Sequence, residues 1–242
     1  MLTRLLAAGL LVLVPGAVPG SVAGQTLPPS YEQCLRAEDP VSGIAACEEA
    51  LASTSLLQAE EARGYMTLGR YQRQTGALSA ALASVAKAAE IAPNAPAIPA
   101  ERAVILHLRG DLSGAKAAHA RAFALGSGSV AMFNNRGVTM LALGDTAAAI
   151  ADFDSALGIM ADDPVVLANR ATAKCRAGDA DGSVADRLAA LALDDGGADD
   201  LEAAMAASGF EGGLGATTGD ASGALAQWTA AGCPDAAEPR FF

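Results

Sequence analysis

The chain has 242 residues, with 16 basic and 27 acidic side chains and a formal net charge of −11 at pH 7. Its basic residues are scattered rather than clustered, so nucleic acid and anionic lipid are excluded as main partners on electrostatic grounds. Aromatic residues make up only 4% and period-2 runs of β-branched residues are missing. Abundant alanine, the best helix former, then points to an all-α chain.

The chain opens with Arg4, an apolar run from Leu5 to Val14, and small residues up to Gly24. This order of basic, apolar and small segments predicts a cleaved signal peptide over 1–23, with the cut after Ala23 or Gly24. Ten apolar residues are too few for a bilayer span, which needs about 20. The expected localisation is therefore periplasmic or secreted. Loss of the leader removes one basic residue and brings the charge to −12. A bias toward Ala, Gly, Asp and Arg is that of a GC-rich bacterial genome. Cys34, Cys47, Cys175 and Cys233 remain, and an even count in an exported chain makes disulfides possible. They form no CxxC pair and do not cluster with His107 and His119, so no metal site is expected.

From residue 62 onward the chain repeats. Gly76, Gly110, Gly144 and Gly178 are spaced by 34 residues. Small residues recur in phase: Gly69, Ala103, Gly137 and Ala171 before them, and Ala81, Ala115, Ala149 and Ser183 after them. Ala88, Ala122, Ala156 and Ala190 follow, and Asp111, Asp145 and Asp179 stand directly behind three of the glycines. Each unit reads as a helix, a Gly-Asp turn and a second helix. Glycine permits the left-handed residue that ends the first helix. An acidic residue suits the start of the second. One such hairpin cannot bury its own apolar face, but a stack of them can.

The units resemble the tetratricopeptide repeat (TPR) family. The second unit carries Tyr65, Leu68, Gly69, Gly76, Ala81, Val85, Ala88 and Pro93 in the family's pattern. The fourth carries Phe133, Arg136, Gly137, Gly144, Asp145, Ala149, Phe153 and Ala156. The third departs at Pro99, and the fifth at Ser183 and Arg187. The resemblance implies an all-α, right-handed α-solenoid of antiparallel helix hairpins, with about five repeats and a helical C-terminal cap. Four regular repeats cover 62–195. An irregular first repeat covers 24–61, with Cys47 at the bulky second-helix position and Cys34 facing it from the first helix. That alignment predicts a Cys34–Cys47 disulfide. In the chain-entropy model such a loop contributes about 3 kcal/mol. Cys175 and Cys233 form a second possible pair if the tail folds back.

The tail, 196–242, has competing readings. Gly219, Ala224, Trp228 and Ala231 match the second helix of a sixth repeat. Leu201, Met205, Gly209, Phe210, Ala224, Leu225 and Trp228 weakly resemble a peptidoglycan-binding-like helical module that lacks its usual Asp-Gly turn. A plain helical cap over the last repeat is the third reading.

No constellation reads as catalytic. His107 and His119 fall on different helices, and His119 takes a bulky core position. Gly126 to Ala131 imitates a dinucleotide-binding loop but follows a helix rather than a strand. Asp152 and Asp154 face different sides of one helix. The expectation is a protein that is not an enzyme, needs no cofactor, and binds another protein or peptide segment on its concave face. The alternative is a cell-wall protein whose tail contacts peptidoglycan. By register the concave face carries Arg63, Met66, Arg70, Arg73, Val104, His107, Asn134, Asn135, Val138 and Asn169. The resemblance implies that Asn135 and Asn169 contact a ligand backbone, a task suited to an amide that donates and accepts. Arg70 and Arg73, three apart on one helix face, are expected to receive an acidic segment or a terminal carboxylate. The family's two-carboxylate clamp is missing, because Ala100 and Val104 stand at its Lys and Asn positions.

Overall fold

The computed structural model describes residues 27–53, 55–126 and 128–193, together with Glu202, Ala206, Leu225, Ala226, Thr229 and Phe241. The expected leader, Cys233 and nearly all of the tail lie outside the described residues.

Among the described residues ten α-helices follow in chain order: α1 (Pro29–Arg36), α2 (Pro40–Ala52), α3 (Gln58–Gln74), α4 (Leu78–Ile91) and α5 (Ala97–Leu108). They continue with α6 (Leu112–Leu125), α7 (Val130–Ala142), α8 (Thr146–Ile159), α9 (Pro164–Arg176) and α10 (Ala180–Leu193). Each odd helix packs mainly against the even helix that follows it, giving five antiparallel hairpins. This is the expected all-α repeat solenoid.

The repeated turn is a full capping device. Gly76, Gly110, Gly144 and Gly178 all sit at positive φ, between 78° and 84°. Gly144 N donates to Leu141 O (3.1 Å) and Asp145 N to Met140 O (2.9 Å). The same pair of bonds recurs at Gly110–Asp111 and Gly178–Asp179. This Schellman pattern satisfies carbonyls left open at the helix end. The aspartate then caps the next helix: Asp111 Oδ1 accepts from Gly114 N (2.8 Å) and Asp179 Oδ1 from Gly182 N (2.9 Å). Its role is thus a specific N-cap bond, beyond the general preference for negative charge there. In the second hairpin Ala77 stands at that place, and no side chain caps α4. Asp39–Pro40 and Asp163–Pro164 start α2 and α9, each with the aspartate as N-cap and the proline at a position where its missing N–H costs nothing.

The small residues are packing contacts. A methyl group on Gly137 would lie 2.7 Å from Phe153 Cε1, and one on Gly69 would lie 2.8 Å from Val85 Cγ2. The second-helix residue facing that gap is buried in every hairpin: Cys47, Val85, His119, Phe153 and Arg187. Five different chemistries fill one structural position. In the first hairpin the gap is closed covalently, by the Cys34–Cys47 disulfide (Cα–Cα 4.5 Å). Cys175 is also disulfide-bonded.

First helices touch the first helices of neighbouring hairpins, α3 with α5, α5 with α7 and α7 with α9. Second helices make no comparable contact with one another. The row of first helices therefore lies on the inside of the curve, where function in a solenoid is sought. Among the described residues no helix is long and apolar enough to cross a membrane.

Candidate functional site

The inner face begins on α3. Arg63 and Arg70 are exposed there, and Met66 between them is partly buried against the core of the second hairpin. Arg73, on the same stripe, does not stand open beside Arg70 as its spacing suggests. Its Nε donates to Glu101 Oε1 on α5 at 2.6 Å, with both side chains 13% exposed. Arg73 therefore fastens two adjacent first helices. Arg70 is left as the open cation of the expected pair, and among the described residues no carboxylate pairs with it.

Further along, the same register gives a different surface. Val104, Val138 and Thr172 are the repeat equivalents of Arg70, one per hairpin. Val104 is 1% exposed, Val138 2% and Thr172 9%. Asn134, Asn135 and Asn169 are buried too, rather than presented on an open face. Asn169 Nδ2 donates to Asn134 Oδ1 at 2.8 Å, and Asn134 Nδ2 donates to Asn135 Oδ1 at 3.3 Å. The three amides form a hydrogen-bonded cluster that joins α9 to α7.

His107 is partly buried and belongs to a polar chain. Thr139 Oγ1 on α7 lies 3.1 Å from His107 Nδ1 and 3.1 Å from His119 Nε2, and it donates to Asn135 O at 3.1 Å. The hydroxyl has one proton, and the carbonyl takes it. Both ring nitrogens facing the hydroxyl must then carry hydrogens. His119 Nδ1 remains as a buried acceptor with no hydrogen-bond partner. Burial first, then the charges of Arg136 and His107, holds the His119 pKa down at about 4 from 6.5. The ring is neutral near pH 7 and packs as a core residue, as its position in the repeat suggests. On its other side His107 meets an aromatic ring. The ring of Phe241 lies 4.6 Å away, centroid to centroid, at 78°. Phe241 also packs against the core cluster that contains Val138, Leu141 and Phe153.

Inside the hairpins lies a second repeated feature that motif reading passes over. Arg136 on α7 grips Asp152 on α8, with Nε–Oδ2 at 2.8 Å. Thirty-four residues later Arg170 on α9 grips Asp186 on α10, with Nε–Oδ2 at 2.7 Å and Nη2–Oδ1 at 2.7 Å. Arg170 also reaches Asp154 at 2.7 Å, and Lys174 reaches Asp186 at 2.9 Å. Its hydrogen bond to Asp186 is the main force raising the Arg170 pKa, against partial burial. Arg136 further stacks on Phe123, 3.8 Å from the ring centre. Asp152 and Asp154 thus serve two different arginines. The signal was the recurrence of both partners at the 34-residue period, visible once Arg and Asp are followed as a pair. These bidentate contacts are structural, since they close hairpins rather than line the inner face. No group of three or more metal-type ligands occurs among the described residues.

No protein-family model matches the sequence, and no curated protein matches it. Solved structures do share its architecture. One is the APC/C hetero-tetramer Cut9–Hcn1, with a TM-score of 0.60 and 18% identity over 69% of this chain and 32% of that one. This chain therefore spans about a third of that neighbour's length. A thermophilic TPR protein from Thermus thermophilus has a TM-score of 0.56 and 20% identity, covering 64% of this chain and 84% of that one. YrrB, described as a TPR protein with an unusual peptide-binding site, has a TM-score of 0.54 and 17% identity, covering 79% and 94%. At these identities the shared property is the fold: a TPR-like helical-repeat solenoid.

Proposed function

We propose that this chain is a non-enzymatic scaffold that binds a segment of another protein on the row of first helices. The observation that carries this reading is the α3 stripe. Arg63 and Arg70 stand exposed on the inner face of a chain whose net charge is strongly negative. Exposed cations on an otherwise acidic solenoid select an acidic segment or a chain-terminal carboxylate, and guanidinium groups bind carboxylates in a fork geometry. A peptide-binding site in a fold neighbour such as YrrB is consistent with this use of the architecture. The signal-like leader over 1–23 supports a location in the bacterial periplasm or outside the cell.

The test is capture of partners from envelope extract on immobilised full-length protein. Arg63→Ala/Arg70→Ala should lose the captured protein. Lys87→Ala, on α4 beside the Tyr65 ring, should keep it. Equal capture by the arginine variant and the wild type overturns the assignment. Sedimentation with purified peptidoglycan, with and without 196–242, addresses the cell-wall alternative. Strong pelleting that depends on the tail would replace the scaffold reading.

A further inference from the structure

The inner face has an open half on α3 and a covered half on α5, α7 and α9. Over the covered half lies Phe241, next to last in the sequence. Its ring is edge-on to His107, in the T-shaped arrangement that the aromatic quadrupole favours. It packs against a buried apolar cluster that includes Val138 and Leu141, both nearly inaccessible to solvent. His107 is fixed from the far side by Thr139, so its ring is held in place to meet another ring. An apolar floor, a fixed ring at the side and the Phe241 ring seated between them together make a receptor for an aromatic side chain.

We propose that the α5–α7 part of the inner face is a binding subsite for an aromatic residue carried on a partner's chain segment, and that Phe241 occupies this subsite in the free protein. The proposal rests on the protein-binding reading and adds its specificity. Partner segments carry an aromatic residue, and they must displace Phe241 to bind. The chain supplies its own example of a fitting sequence, since residues 236–242 read AAEPRFF. Phe241 is thus a built-in competitor. By linkage, an occupant present about nine tenths of the time raises the apparent Kd of an outside ligand roughly tenfold.

The experiment uses the full-length chain and a fluorescein-labelled AAEPRFF peptide, with fluorescence anisotropy as the readout. Phe241→Ala should bind the peptide roughly ten times more tightly than wild type, as the competitor is removed. A peptide with alanine at the first Phe should bind neither protein. Adding His107→Ala to the Phe241→Ala protein should weaken binding again. Equal peptide affinity for wild type and Phe241→Ala overturns the proposal, as does the absence of binding to a folded Phe241→Ala protein. If circular dichroism shows that Phe241→Ala is unfolded, Phe241→Leu takes its place. That variant keeps apolar volume without the ring, and the same outcomes apply. The two readings fail separately. Arginine-dependent partner capture without peptide binding to the Phe241 variants sinks this subsite and leaves the scaffold standing. Peptide binding without arginine-dependent capture does the reverse.

Discussion

Arg70 and Val138 occupy the same place in the repeat, two hairpins apart, and the molecule treats them in opposite ways. Arg70 is exposed, whereas Val138 is 2% exposed and lies in a cluster that Phe241 packs against. The backbone register is the same: a glycine at positive φ ends the helix six residues after each. A repeat therefore fixes which way a side chain points. It does not fix what lies over it. The two ends also hold their hairpins shut differently. The first uses a disulfide, while the fourth and fifth use bidentate arginine–aspartate pairs, with Phe153 as the plug of the fourth.

A carboxylate introduced at both places should have very different consequences. Val138→Asp strands a carboxylate in the covered half and should cost on the order of 4 kcal/mol. Arg70→Asp should change stability by less than about 0.5 kcal/mol. Urea midpoints of the two variants decide the matter, and equal losses would mean that the inner face is uniform.

Next in size is the Cys34–Cys47 bridge of the first hairpin. Cys34→Ser/Cys47→Ser should lower stability by about 3 kcal/mol, because the unfolded chain regains the freedom of the loop. Amide hydrogen exchange should show the loss concentrated in α1 and α2. Protection falling equally in all five hairpins would instead show that the solenoid unfolds as one unit.

A comparable effect is expected from acid, in the covered half alone. His119 takes up its proton near pH 6.5 when unfolded and only near pH 4 when folded. Its contribution is fully present above about pH 6.5 and is lost as the pH falls toward 4, by about 3 kcal/mol in total. Thermal melts across that range should lose this slope in His119→Phe, while Cys34→Ser/Cys47→Ser keeps it.

The smallest effect concerns the turns. Asp145→Ala should cost about 1 kcal/mol by removing the cap on α8. Ala77→Asp should gain a comparable amount by supplying the cap that α4 lacks. Chemical denaturation of both variants checks the pair, and a neutral Ala77→Asp would show that α4 needs no such bond.

Much of the architecture could be read from spacing. Gly144 and its three counterparts mark turns because a positive φ is cheap only without a side chain. Gly137 is small because the Phe153 ring takes its space. Cys34 faces Cys47 because the repeat aligns them across a hairpin. Arg73 was harder, since its partner Glu101 lies on the next first helix, 28 residues away and off the repeat period. The buried state of Asn134, Asn135 and Asn169 was harder still. Register gives a direction, but burial depends on neighbours distant along the chain.

The all-helical fold, the turn chemistry and the close-packed positions are thus written in the sequence, because these depend on interactions within one repeat or between adjacent ones. Only the tertiary structure decided which half of the inner face is open and which arginine is tied down. It alone showed that Phe241 meets His107. Those outcomes come from contacts between residues that no fixed spacing relates, so no periodicity in the sequence can carry them.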